Sequence, residues 1–240
     1  MAGLVINSTA VLRLNFCAKL NICALISATS PSCKTLAVII KNDTNNMNLG
    51  ILNETVILID TDFLNERISH NLSFYKELYP DKDFDKINLA DLLYKFALNA
   101  RVEEAGHNVD ILFAYTLSNP NLEYCTPSNL TFDITSDGVQ METDKGTFLI
   151  RSFFGDEDET CNEHFVNMLR MVNYSPRVSR IIMVADSSEL NFELEMMNEQ
   201  NEKSLFLIKK YHDTEIEVPI KYVKIDYPIA YALGLNNNEI

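Results

Sequence analysis

The sequence predicts an α/β fold, a mostly parallel central sheet flanked by helices, and three observations carry that expectation. Short runs of β-branched and apolar residues, TVILID at 55–60, NVDILFAY at 108–115 and RIIMVAD at 180–186, mark strands buried on both faces. Between them lie stretches with apolar residues spaced i, i+3, i+4 and i+7, the signature of amphipathic helices. Strands alternating with helices imply crossover connections, and hence parallel pairing.

Taken in order, Thr55–Asp60 opens the domain as a strand, and a helix follows from about Asp62 to Leu78, stopped by Pro80. Asn88 to Ala105 reads as a second helix, with Leu89, Leu92, Leu93, Phe96, Ala97 and Ala100 on one stripe and Gly106 at its end. Asn108–Tyr115 is the next strand. Between Leu130 and Phe154 the runs TFDI, VQME and TFLIRSFF alternate and are separated by Asp137-Gly138 and Asp144-Lys145-Gly146, which predicts an inserted antiparallel meander. Helical periodicity resumes from Thr160 to Val172. Arg180–Asp186 is a strand, Ser188–Gln200 a helix, and Ser204–Tyr211 and Val218–Ile225 are strands. Pro228 sits in the first turn of a short terminal helix. Leu93, Phe96, Ile182 and Val184 are expected to share one core.

The chain has 240 residues and a formal net charge of −14, with 47% hydrophobic and 22% charged residues, a composition that supports a sizeable core. The first 46 residues carry four basic residues and one acidic residue, so the negative charge lies after them. This break, with three of the five cysteines on its amino side, divides the sequence into an extension at 1–46 and a single α/β domain at 47–240. Met47 is the expected natural start. The apolar residues of the extension are interrupted by Arg13, Asn15, Lys19 and Asn21, which fits a secretory signal poorly. No apolar run reaches the roughly 20 residues of a membrane-spanning helix. An acidic chain lacks a broad surface for nucleic acid, although a local basic cluster remains compatible with it. Cysteines at 17, 23, 33, 125 and 161 form no C-x-x-C pair and are odd in number, which favours a reducing, cytoplasmic compartment.

Seven dispersed glycines write neither G-x-x-x-x-G-K-[ST] nor G-x-G-x-x-G, and G-x-S-x-G is absent as well. Typical P-loop, dinucleotide-binding and α/β-hydrolase chemistries are therefore excluded. His70, His107, His164 and His212 form no H-E-x-x-H and read as surface residues. The run Asp156–Glu159 lacks calcium-loop spacing and reads as a solvated acidic loop.

Ligands of open α/β sheets collect outside the carboxyl ends of the strands. Asp60 and Asp62 lie at that end of the first strand, and Asp186 closes a later one. Carboxylates brought together there hold Mg²⁺ or Mn²⁺ through hard oxygen ligands, and such an ion polarises a phosphodiester and activates water. Without a cation they repel one another. The alternative is helix capping, for which Asp62, Asp186 and Ser187 are all suited. Thr160 and Glu163 likewise fit a capping box. Arg170, Arg177 and Arg180 bracket the approach to the Asp186 strand and suit phosphate binding, or equally helix C-terminal capping and pairing with surface acids.

VILIDTDFL and IIMVADSSEL together resemble the NYN domain, a branch of the PIN-like nuclease fold. There an Asp follows the opening strand, and a later strand ends in Ser-Gly-Asp-Ser-Asp-Phe. On this resemblance, which covers residues 55 to about 211, Asp186 matches the first signature Asp and Ser187 the Ser. Ala185 stands where the family has Gly, Ser188 replaces the second Asp, and Glu189 follows one place later. The family's acid on the preceding helix has Glu163 as its nearest substitute. The resemblance implies a divalent-metal ribonuclease or phosphodiesterase acting on RNA, with Asp60 and Asp186 catalytic and Asp62, Glu163 and Glu189 completing the shell of Mg²⁺ or Mn²⁺. Ser187 and the three arginines would contact phosphate. The altered signature equally implies an inactive PIN-like module that binds a protein partner or forms a homo-oligomer.

Overall fold

Because β-branched runs form the strands and amphipathic stripes the helices, the architecture follows the chain closely. The computed structural model describes residues 49–102, 106–200, 203–210, 220–236 and 238–239, without the side chains of 189, 191 and 198–200. The extension at 1–46 lies outside them. Strand β1 (Thr55–Asp60) leads into α1 (Thr61–Leu78); a two-residue β2 (Ile87–Asn88) precedes α2 (Leu89–Asn99), and β3 (Val109–Tyr115) follows. After β4 (Cys125–Thr126) come β5 (Val139–Thr143), β6 (Gly146–Phe154) and α3 (Cys161–Tyr174). The chain then forms β7 (Arg180–Val184), a 3-10 turn (Ser187–Glu189), α4 (Asn191–Gln200), β8 (Ser204–Lys209), β9 (Lys221–Lys224) and α5 (Asp226–Ala232). β2 and β4 form a separate two-stranded bridge.

The main sheet runs β5-β6-β3-β1-β7-β8-β9, and every neighbouring pair is parallel except β5 with β6. Register places Ile57 beside Ile111 on one side and Ile182 on the other. On that face Ile57, Ile111, Ile182 and Phe206 join α1, α2 and α5 in one buried cluster, which holds Leu93, Phe96 and Val184 as well. The opposite face, with Val56, Leu58, Leu112 and Met183, is covered by α3 through the fully buried Phe165, Met168, Leu169 and Val172. Helices thus cover both faces of the sheet, as the continuous apolar strands require.

Three expectations are corrected. The segment 130–154 is not an inserted meander: β6 is a parallel strand of the main sheet, β5 alone runs antiparallel, and TFDI forms a turn. Asp137-Gly138 closes on Thr135, whose carbonyl accepts the Gly138 N–H at 3.0 Å, so no hairpin forms there. The hairpin lies at Asp144-Lys145, where Gly146 adopts φ 135° and a Cβ would collide with the His107 backbone. Helix α2 ends near Asn99, well before Gly106. Arg101 takes the left-handed conformation at φ 59°, and the Arg101 and Val102 N–H groups bond back to Leu98 and Ala97, which turns Val102 into the core.

Candidate functional site at the strand ends

From β1 the chain continues to β3 and β6 on one side, while β7, β8 and β9 lie on the other. The carboxyl ends of β1 and β7 therefore flank the topological switch point, where open α/β sheets bind ligands. Asp60 and Asp186 stand at this crevice.

Asp60 is only 5% exposed. Its backbone stays extended while its Oδ1 caps α1, accepting the Phe63 N–H at 3.0 Å. From α3 the Cys161 thiol donates to the same oxygen at 3.3 Å and lies 3.2 Å from the Ala114 carbonyl, which also accepts from Thr61 Oγ1 at 2.7 Å. Burial raises the Asp60 pKa above its ordinary value, against the lowering influence of those two donors. Burial and the neighbouring Asp60 push the Cys161 thiol up as well, so it is a proton donor at neutral pH and not a thiolate.

Asp186 caps the 3-10 turn, its Oδ1 accepting from Ser188 N at 3.0 Å and Ser188 Oγ at 2.8 Å. Its Oδ2 accepts from Lys210 Nζ at 3.1 Å. Lys210 also lies 3.5 Å from Glu66 Oε1 and 5.7 Å from the centre of the Phe63 ring. Partial burial acts upward on the Asp186 pKa but is outweighed by Ser188 and Lys210, so the carboxyl falls below its ordinary value. Burial acts downward on Lys210, and Asp186 and Glu66 reverse it. A lysine ammonium thus rests on Asp186, one of the acids from which the sequence reading built a divalent-cation site.

The remaining predicted ligands are dispersed. Asp62 is exposed and accepts from Asn119 Nδ2 at 2.7 Å. Glu163 and Thr160 form a complete capping box: Glu163 Oε2 accepts from Thr160 N at 2.9 Å, and this lowers its pKa. The side chain of Glu189 lies outside the described residues. Ser187 is 2% exposed, at the start of the turn capped by Asp186. Among the described residues no group of three or more His, Cys, Asp or Glu is placed to hold a metal ion.

The arginines do not converge on the crevice either. Arg170 makes two bonds to Glu193 on α4, one of them Nε to Oε2 at 3.0 Å. Arg177 lines a shallow hollow with Glu54, His107 and Asn108 at the amino ends of the strands. Arg180 is the first residue of β7, where it donates to the Arg101 carbonyl at 3.1 Å. At a strand rise of about 3.3 Å per residue it stands roughly 20 Å from Asp186.

Sequence reasoning missed Lys210, whose signal was available: SLFLIKKY is a strand of the same class as RIIMVAD, and Val184 pairs with Ile208, which brings Asp186 level with Lys210. It also placed His164 on the surface. The residue is 2% exposed because it shares the apolar stripe of α3 with Cys161, Phe165 and Met168. Its Nδ1 lies 3.2 Å from Glu159 Oε2 and its Nε2 3.2 Å from the Phe153 carbonyl. Burial holds its pKa below the ordinary value, against the opposing pull of Glu159.

Two further features complete the described residues. Asp110, fully buried in β3, accepts from Arg151 Nη2 at 2.7 Å and from Asn53 N and Nδ2 at 2.6 and 2.9 Å. No helix among the described residues is long and apolar enough to cross a membrane. No curated protein matches the sequence. The family model of DUF6621, a family of unknown function, matches residues 50–240 and so spans β1 through α5. The chain belongs to that family.

Proposed function

We propose that the domain is a divergent PIN-like module that works by binding a protein partner or another copy of itself, and that its strand-end acids serve the fold. One observation carries this reading: Lys210 Nζ rests on Asp186 at 3.1 Å, an internal cation in the crevice. Asp60 has its own donors in Phe63 and Cys161, Asp62 has Asn119, and Glu163 has Thr160. A metal ion would have to displace these partners one by one. The functional unit of this reading is the domain from residue 47, and its setting is cytoplasmic, in keeping with the buried free thiols of Cys125 and Cys161.

The second reading, a ribonuclease dependent on Mg²⁺ or Mn²⁺, draws on the placement of Asp60 and Asp186 at the carboxyl ends of β1 and β7. Thermal unfolding with and without millimolar Mn²⁺ separates the two, because a ligand that binds the folded state raises its stability. The interaction module gains nothing from the ion and leaves single-stranded RNA intact. A gain abolished by Asp186→Asn, together with Mn²⁺-dependent RNA cleavage, overturns it.

A further inference from the structure

At the amino ends of the strands, away from the crevice, Glu54, His107, Asn108 and Arg177 line a hollow of about 230 Å³ together with Asn53 and Gly106. Every lining residue is polar or glycine, and the backbone beneath them is fixed. Asn53 is clamped on the buried Asp110 through its N and Nδ2, and the Glu54 carbonyl accepts from Ser179 N at 2.9 Å and Arg180 N at 3.0 Å. His107 N donates to the Lys145 carbonyl at 2.6 Å, while its Nε2 lies 3.1 Å from Thr55 Oγ1. Arg177 sits in a turn that Pro176 opens and that Val178 N closes on the Ser175 carbonyl at 3.3 Å. The charges above this floor take no part in the pairing of the fold. Arg67, Arg151 and Arg170 each pair with an acid, at Asp226, Asp110 and Glu193. Arg177 pairs with none among the described residues, although the Glu54 carboxylate shares its hollow. Asn108 Oδ1 accepts from Thr147 N at 3.3 Å, which leaves the amide Nδ2 as its open donor. Two opposite charges thus face one rigid hollow without meeting each other.

We propose that this hollow binds a free α-amino acid with a short, oxygen-bearing side chain. The Arg177 guanidinium takes the α-carboxylate through two parallel N–H donors, the geometry in which an arginine fork recognises a carboxylate. Glu54 takes the α-ammonium, and Asn108 Nδ2 donates to the side-chain oxygen. A ligand carrying both signs meets both charges, whereas a bare anion such as phosphate satisfies Arg177 and is repelled by Glu54. The volume lies below the roughly 300–1,000 Å³ of sites for drug-sized ligands, so a nucleotide is too large. Because hydrogen bonds of the fold already fix the floor, little ordering opposes the binding of so small a molecule. The site is separate from the strand-end acids and depends on neither reading of them.

The test is isothermal titration calorimetry of the full chain with L-serine, L-asparagine and L-aspartate, each at millimolar concentration. At least one of them binds with one-to-one stoichiometry. Its N-acetyl derivative, which lacks the ammonium, and its α-amide, which lacks the carboxylate, each bind about tenfold or more weakly, since each leaves one charge of the site unmet. Arg177→Gln and Glu54→Gln weaken binding by a similar factor. Neither side chain has a partner among the described residues, so both variants keep the wild-type thermal midpoint, and unfolding does not account for the loss. No heat of binding from any of the amino acids overturns the proposal. So does inorganic phosphate binding as tightly as the amino acid, which marks a simple anion site, and so does binding that survives both substitutions, which places the ligand elsewhere.

Discussion

Replacing Asp110 with Ala is the sharpest test of the packing described above. The change leaves the Arg151 guanidinium, whose side chain is 9% exposed, without its 2.7 Å partner in a sheet interior, and removes the acceptor for Asn53 N and Nδ2. Breaking a buried ion pair from one side costs about 3–5 kcal/mol, because the surviving charge remains desolvated. Asn53 is half-buried and water can replace part of its loss, so about 4 kcal/mol is expected for Asp110→Ala. For a domain of this size that lowers the thermal midpoint by roughly 8–16 °C, at about 2–4 °C per kcal/mol. Arg151→Leu costs less, about 3 kcal/mol, since Asp110 keeps both Asn53 donors. With Asp110→Leu added, the double variant recovers most of the loss, because no charge is left buried and Arg151 Nε, which has no hydrogen-bond partner among the described residues, disappears with it, while Asn53 and the Leu49 carbonyl lose their partners. Urea unfolding of wild type, Asp110→Leu, Arg151→Leu and the double variant closes the cycle. A cost below about 1 kcal/mol for Asp110→Ala would refute the argument, since it would mean that the pair is hydrated.

Five other outcomes follow from the same reasoning. Phe96→Ala empties a fully buried site in the cluster beneath α2 and should cost about 3–5 kcal/mol in urea unfolding, where no change would place α2 on the surface. Asp60→Asn keeps the helix cap and relieves a buried charge. Since the folded pKa is raised, the acid's adverse effect grows as pH rises through that value, so the variant is more stable than wild type at pH 7 and loses its advantage in acid. Asp186→Asn behaves oppositely: its folded pKa is lowered, its contribution is present above the unfolded value of 3.8 and fades as pH falls through the folded one, and the variant is the less stable at pH 7. His164 is held below its ordinary 6.5, so its neutral form favours the fold and stability declines as pH drops through 6.5, a slope that His164→Gln should flatten in thermal scans between pH 7.5 and 5. Finally, a chain beginning at Met47 should keep the thermal midpoint of the full protein, and a fall of many degrees would show that the extension packs on the domain.

The strands β1, β3 and β7 were legible because a buried parallel strand demands apolar residues at every position, and TVILID, VDILFAY and RIIMV supply them. β6 misled for the opposite reason. Arg151 and Ser152 made TFLIRSFF look half-solvated, yet both are buried, Arg151 against Asp110 and Ser152 with its hydroxyl near the Leu130 and Ile134 carbonyls. A charge inside an apolar run carries no information about its partner until register is known, and Asp110 with Arg151 is such a case. The same limit applied at the crevice. The positions of Asp60 and Asp186 followed from where their strands end, but their electrostatics depended on Cys161 and Lys210, which reach them only through strand and helix adjacency.

The placement of β1 at the middle of the sheet has a consequence for how the protein is made. It is the first strand of the domain to leave the ribosome, yet it needs neighbours on both sides, and they arrive at very different times. β3 follows after two helices, whereas β7 is complete only at Val184. Throughout the synthesis of β5, β6 and α3, the nascent chain therefore carries a half-sheet whose open margin is an apolar strand with unpaired amides, the feature most prone to adhere to other chains. Closing that margin brings together segments far apart in sequence, a slow step for parallel sheets. The rate at which α3 delivers β7 to the edge of β1 thus sets how long the nascent domain is exposed to aggregation.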